Sequence, residues 1–293
     1  MITVRLKGGL GNQLFQYATA YSLARRLEQN LQLDISFFPR QTLRGYKLDK
    51  FNIEFSEVAG ETSKRLSKIE LIKSRYLNKL LRVSNIDMIH IKKDEVYFLE
   101  TGSKMMNHFF DLDYKNIYLD GYYQSELYFS DYRNDILRQF TPNYEQDEKY
   151  LSVLRQIQRK NSVAIHVRRG DFLNSRRDPN PRIYLLDDDY YRRAITYMNS
   201  KIENPTYFWF SDDIEWVRGN FGNRDNYYFV SLATPNADID EMLLMSKCNN
   251  IISANSTFSW WAAWLNTNIN AIKIVPQKRY GNPKMIPDKW IKM

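Results

Sequence analysis

A chain of 293 residues exceeds one small domain and is read as two. A single cysteine excludes an internal disulfide or a thiolate zinc cluster, and His90, His108 and His166 fall in no metal-ligand spacing. The net charge of +8 calls for an anionic partner (nucleic acid, a membrane face or a phosphorylated substrate) without choosing among them.

Ile2, Val4 and Leu6 alternate with polar residues and predict a first strand. Gly8-Gly9-Leu10-Gly11-Asn12-Gln13 follows, and from Leu14 apolar residues recur at helical spacing to about Asn30. Glycine lets backbone approach a ligand closely, and a helix start offers N–H groups. Gly9, Gly11, Asn12 and Gln13 are therefore candidate ligand residues, although a ligand-free turn fits the spacing equally. The run is no dinucleotide fingerprint, because Leu14 stands where the third glycine belongs. Leu31 to Ile35 reads as a second strand.

Residues 57–110 read as an insertion with a basic amphipathic helix over 63–82. Its basic face is either an ordinary solvated surface or a contact for an anionic membrane. A strand from Asn116 ends in Gly121-Tyr122-Tyr123-Gln124, where two rings and an amide suit either a sugar or a packed strand edge. Helices over 128–140 and 145–159, around Pro142, form the expected connection between a first domain at 1–150 and a second at 151–293.

The second half alternates strands and helices, the pattern of a parallel sheet covered on both faces. Its first strand, Ser162 to Val167, runs into Arg168-Arg169-Gly170-Asp171. Arginine is seldom buried without a partner, and its fork matches phosphate oxygens; a salt bridge to Asp171 is the plainer alternative. Two further strands end in Ser211-Asp212-Asp213 and Ser253-Ala254-Asn255-Ser256-Thr257. In a parallel sheet the three clusters share the carboxyl edge, where ligands bind. Asp212 suits a base or ribose, and Asn255, Ser256 and Thr257 suit phosphate at a helix start. Asp213 reads as a helix cap rather than half of a metal site, and with Arg168, Arg169 and Asp212 it stands among the candidate donor-binding residues. No signal-peptide core is present, and the longest uncharged stretch, 248–272, is studded with asparagine. A cytoplasmic protein is expected, with peripheral contact to the inner membrane as an option.

Four blocks occur in order: Gly8-Gly9-Leu10-Gly11-Asn12-Gln13-Leu14-Phe15-Gln16-Tyr17, His166-Val167-Arg168-Arg169-Gly170-Asp171, Phe210-Ser211-Asp212-Asp213-Ile214-Glu215-Trp216 and Asn255-Ser256-Thr257-Phe258-Ser259-Trp260-Trp261. Together they resemble the α-1,2-fucosyltransferases of glycosyltransferase family 11. The resemblance implies an α/β, GT-B-like fold of two Rossmann-like domains facing a cleft. It implies GDP-β-L-fucose as donor, the 2-OH of a terminal galactose in a glycan as acceptor, inversion at the anomeric carbon, and no metal or other cofactor. By the same resemblance Arg168 holds the diphosphate, Arg169 and Asp171 shape the motif, Asp212 faces guanosine, Ser256 and Thr257 meet phosphate, and Asn12 lines the cleft. A bacterial enzyme of surface-glycan or O-antigen synthesis is implied, since eukaryotic members carry a membrane anchor.

Arg168 is the expected catalytic cation, with Asp171 and His166 as candidate bases. Tyr122, Tyr123 and Gln124 are the candidate acceptor contacts. A nucleic-acid partner is set aside because the positive charge is spread rather than gathered in a module. Another linkage, or another nucleotide sugar, is the alternative reading.

Overall fold

The computed structural model describes residues 1–40, 45–58, 88–92, 94–99, 109–111, 113–170, 173, 185–277 and 285–293. Two units result, Met1–Asn143 and Tyr144–Met293. The predicted basic helix over 63–82 and Asp171 lie outside the described residues.

In the first unit the alternating start of the chain forms β1 (Ile2–Arg5), and the glycine turn leads into helix α1 (Leu10–Arg26). Strand β2 (Leu31–Asp34) pairs parallel to β1, and β3 (Glu57–Val58) extends that side. On the other side of β1 stand β6 (Asn116–Asp120), β5 (Glu95–Leu99) and β4 (Met88–Lys92), giving the order β3-β2-β1-β6-β5-β4. All pairings are parallel except β4 with β5. The segment expected as a helical insertion thus gives three strands to this sheet. Val96, Tyr97 and Phe98 carry the reason: all three are buried, and their β-branched and aromatic side chains fit a pleated surface. The helix expected from Tyr128 starts only at Arg133, after two short 3-10 turns. Tyr128 and Phe129 are core residues there, Tyr128 packing edge-on against Phe109 and Phe129 against Phe15.

The second unit begins at Tyr144 rather than 151. Its strands are β7 (Asn161–Val167), β8 (Pro205–Ser211), β9 (Tyr227–Val230), β10 (Asn250–Ile252), β11 (Lys273–Val275) and β12 (Ile291–Lys292), in the all-parallel order β12-β11-β10-β7-β8-β9. The chain moves outward from β7 to β9, then returns to the opposite flank of β7 with β10. That reversal makes a topological switch point beside β7. Both units are therefore layered α/β structures of the GT-B-like class. The helix Thr257–Leu265 holds Trp260, Trp261 and Trp264 almost wholly buried. Each such ring removes roughly 200 Å² from water, worth about 5 kcal/mol by area. The Trp260 indole N–H donates to the Met285 carbonyl at 2.7 Å, so this helix is fixed in direction as well as position.

Candidate active site

The three polar clusters of the second half meet at the switch point. β10, β7 and β8 are neighbours, so Ser253, Arg168 and Asp212 leave the sheet side by side. Arg168 Nη1 lies 2.9 Å from Asp212 Oδ2, with side-chain exposures of 22% and 25%. The other oxygen of Asp212 accepts the Arg169 backbone N–H at 2.9 Å. Asp212 thus braces the arginine turn from a neighbouring strand.

Arg169 points elsewhere. Its Nε donates to Asp213 Oδ2 at 3.0 Å, and its guanidinium lies 3.6 Å from the centre of the Trp216 ring. Both partners belong to the helix Ile214–Phe221, which Asp213 caps by accepting the Trp216 N–H. Arg169 and Asp213 therefore shape the turn, while Arg168 pairs with Asp212 across two neighbouring strand ends. Gly170 permits this arrangement: a Cβ there would stand 2.4 Å from Asp212 Oδ2.

The helix Asp188–Lys201 locks two of the strand ends. The Tyr190 hydroxyl donates to the Ser253 carbonyl at 2.7 Å. The Tyr191 hydroxyl, fully buried, meets the Arg168 backbone N–H; burial pushes its pKa far up, and that N–H partly offsets the rise. Asn255 and Ser256 are buried, and Ser256 is the cap accepting the Phe258 N–H. Half-buried Thr257 begins a helix with no acidic residue in its first turn, a favourable end for an anion. His166 is buried in β7 with its ring 5.3 Å from that of Phe258. Among the described residues no three His, Cys, Asp or Glu side chains gather as a metal cage.

Beyond β9, Glu241 Oε1 accepts the Leu232 N–H at 2.9 Å. Burial pushes this carboxyl up to about 7, the Leu232 bond pulling the other way. An unfolded glutamate titrates near pH 4.3. Between those values the folded protein binds the extra proton, so stability falls as pH rises across the window. Glu241→Gln keeps an oxygen for Leu232 and removes the titration. Its urea midpoint should gain on the wild type from about pH 4.3 to about pH 7; parallel pH profiles would contradict the assignment.

In the first unit the corresponding edge holds a different chemistry. Asp120, at the end of β6, accepts from Arg5 Nη1 at 3.0 Å, Lys7 Nζ at 2.5 Å and the Tyr97 hydroxyl at 2.7 Å. Burial works to raise its pKa, but Lys7, Tyr97 and Arg5 outweigh it and hold the carboxyl below its usual range. Gln13 is buried and committed to the fold: its amide donates to the Gly8 and Gly45 carbonyls and accepts the Lys47 N–H. Gly9 is the helix cap residue and Gly11 lies buried inside α1. The glycine that the turn demands is Gly8, at φ +82°, where a Cβ would stand 2.7 Å from Asn12 Nδ2. Gly8→Ala should cost about 1–2 kcal/mol of stability in urea unfolding, the scale of a left-handed residue with a side chain. An unchanged midpoint would refute that strain.

Asn12 accepts from Gln124 Nε2 at 2.8 Å, so two predicted residues 112 apart in sequence meet. Tyr122 is 43% exposed, whereas Tyr123 is wholly buried with its hydroxyl on the Phe98 carbonyl. Tyr123 therefore leaves the candidate acceptor set and joins the aromatic core with Phe109 and Tyr128. Sequence reasoning missed Lys7, Asp120, Gly8, Gly170, Tyr191 and Trp216. Gly8, Gly170, Trp216 and Asp120 carried a signal, since each stands inside or at the head of a stretch already singled out.

A family model described as glycosyl transferase family 11 matches residues 1–292. The O-antigen biosynthesis glycosyltransferase WbnK of Escherichia coli is 35% identical over 309 aligned positions, covering 98% of this chain and 99% of the relative. An Escherichia coli alpha-1,2-colitosyltransferase is 33% identical, covering 100% and 99%. The mouse galactoside 2-alpha-L-fucosyltransferase Sec1 is 25% identical, covering 90% and 64%. Among solved structures, a variant of Arabidopsis thaliana FUT1 in complex with GDP shares the fold at 13% identity and a TM-score of 0.50, covering 98% of this chain and 72% of that one.

Proposed function

The chain belongs to glycosyl transferase family 11, and from that premise we propose that it moves L-fucose from GDP-β-L-fucose to the 2-OH of a terminal galactose, inverting the anomeric carbon without a metal. The observation that carries the reading is Arg168 at the switch point, partly exposed, paired with Asp212 and next to the strand that leads into the helix Thr257–Leu265. As the bond from the anomeric carbon to phosphate oxygen breaks, negative charge grows on the departing GDP. A fixed guanidinium and helix N–H groups aimed at that charge lower the barrier more than they favour bound donor. The acceptor oxygen attacks from the opposite face, and its proton passes to a base as the new C–O bond forms. Asp171, His166 and the acidic residues of the first half are the candidates for that step. The mouse relative's name, galactoside 2-alpha-L-fucosyltransferase, supports the donor and linkage, and the FUT1 complex supports GDP as the nucleotide.

A second reading keeps the linkage and replaces fucose by colitose, favoured by the 33% identical colitosyltransferase. The decisive experiment offers GDP-fucose and GDP-colitose with a panel of galactose-terminated glycans, with and without chelator, and identifies products by mass and linkage analysis. Fucosylation at O2 that survives chelation is expected. Colitosylation alone would establish the second reading, and transfer to another hydroxyl would end the α-1,2 assignment.

A further inference from the structure

The pairing of β7 with β10 runs from Val163 opposite Asn250 to Ile165 opposite Ile252. Past that point each strand keeps to its other neighbour. β7 stays in register with β8 as far as Val167, and the Ser253 N–H donates to the Ile274 carbonyl of β11 at 2.8 Å. The two strand ends that deliver Arg168 and the Asn255-Ser256-Thr257 turn therefore part from each other at the switch point. Parting takes sheet partners away from the backbone, and buried backbone polar groups must find others.

Two adjacent tyrosines of the helix Asp188–Lys201 supply them. Tyr190 donates its hydroxyl to the Ser253 carbonyl at 2.7 Å, and the Tyr191 hydroxyl meets the Arg168 N–H. Neighbouring residues on a helix point about 100° apart, so one turn reaches two strands. That turn is itself fixed. Asp187 caps it by accepting the Tyr190 N–H at 3.1 Å, and the Tyr191 ring packs edge-on against Phe221, in the helix that carries Trp216. Both tyrosine rings are almost wholly buried, and phenylalanine would fill the same space. Packing accounts for the rings, whereas the hydroxyls are committed to the two strand ends.

We infer that Tyr190 and Tyr191 are positioning residues for the transfer reaction, their hydroxyls setting the separation at which Arg168 and the start of the helix Thr257–Leu265 hold one diphosphate. Neither touches the reacting atoms; both act through the strand ends. The reaction is that of the transferase reading, on which this role rests, but the grip on a diphosphate is measurable without turnover.

Tyr190→Phe and Tyr191→Phe remove one oxygen each and keep the rings. Tyr207→Phe is the control. Its buried hydroxyl bonds Asn199 Oδ1 at 2.7 Å and the Ile195 carbonyl, on the same helix but near the amino end of β8, away from the donor edge. Calorimetry measures GDP and inorganic pyrophosphate, initial rates give kcat and KM, and urea unfolding reports stability. Tyr190→Phe and Tyr191→Phe should each weaken both probes about tenfold and lower kcat about 10–10²-fold, because misplacing a group by about 1 Å costs on the order of 10²-fold. The acceptor KM should hold. Tyr207→Phe should lower the urea midpoint and nothing else. Wild-type affinity and kcat in Tyr190→Phe and Tyr191→Phe would overturn the positioning role, and so would an equal loss of GDP affinity in Tyr207→Phe. A wild-type protein that binds pyrophosphate yet transfers nothing from GDP-fucose would end the transferase reading, and the tyrosine variants would still be judged on pyrophosphate. Binding of neither probe by the wild type would remove the diphosphate site and the tyrosines' role with it.

Discussion

Arg168→Ala should lower kcat/KM by about 10²–10³-fold, the loss found when one preorganised donor to a developing negative charge is removed. Arg168→Lys should recover little, because an ammonium is a point charge and cannot reproduce the planar fork that Asp212 now orients. The substitution also strands Asp212, so activity and stability must be separated. Both side chains are partly exposed, which keeps the pair's own contribution near the surface range of up to about 1 kcal/mol. The double variant Arg168→Ala, Asp212→Asn, which removes the stranded charge and keeps an oxygen for the Arg169 N–H, therefore should regain the urea midpoint while staying inactive. Near-normal turnover in Arg168→Ala would remove the arginine from the mechanism. Gly170→Ala offers a milder version of the same test, since its Cβ would displace the Asp212 carboxylate from both arginine contacts.

Asp120→Asn should destabilise the protein by about 3–5 kcal/mol, the cost of removing one partner from a buried ion pair. Asp120 is 7% exposed and answers both Arg5 and Lys7, so the variant leaves two cations facing each other with no anion between them. The pH dependence separates this from simple loss of packing. Its folded pKa is depressed, so the carboxylate's contribution is complete above the unfolded value, near pH 3.9, and is lost as pH falls through the folded one. The gap between wild type and variant in urea midpoint should hold steady at neutral pH and narrow only below about pH 4. A gap that narrows near neutrality would point to another group.

The two edges divide the chemistry in a physically sensible way. At the second, Arg168 and Asp212 are only partly buried, so an incoming anion can compete for the guanidinium. At the first, Asp120 is nearly enclosed and both Arg5 and Lys7 are committed to it. The same contrast explains why Gln13, predicted to meet a ligand, does not: its amide is consumed by Gly8, Gly45 and Lys47. Asn12, one residue earlier, pairs instead with Gln124.

Periodicity and chain order by themselves determined the alternating strands of the second half, the placing of Arg168, Asp212 and Ser256 along one sheet edge, and the capping of a helix by Asp213. Those properties depend on near neighbours and on the direction of a strand, both written locally in the chain. Which polar groups face each other was decided only by the tertiary structure. Asp120 meets Arg5 and Lys7 across more than a hundred residues, Asn12 meets Gln124, and Tyr123 turns inward while Tyr122 stays out. No local pattern distinguishes two adjacent tyrosines, or assigns one carboxylate among thirty-four acidic residues to two of forty-two cations. Packing makes that choice, because burial admits only those charged groups whose partners arrive with them.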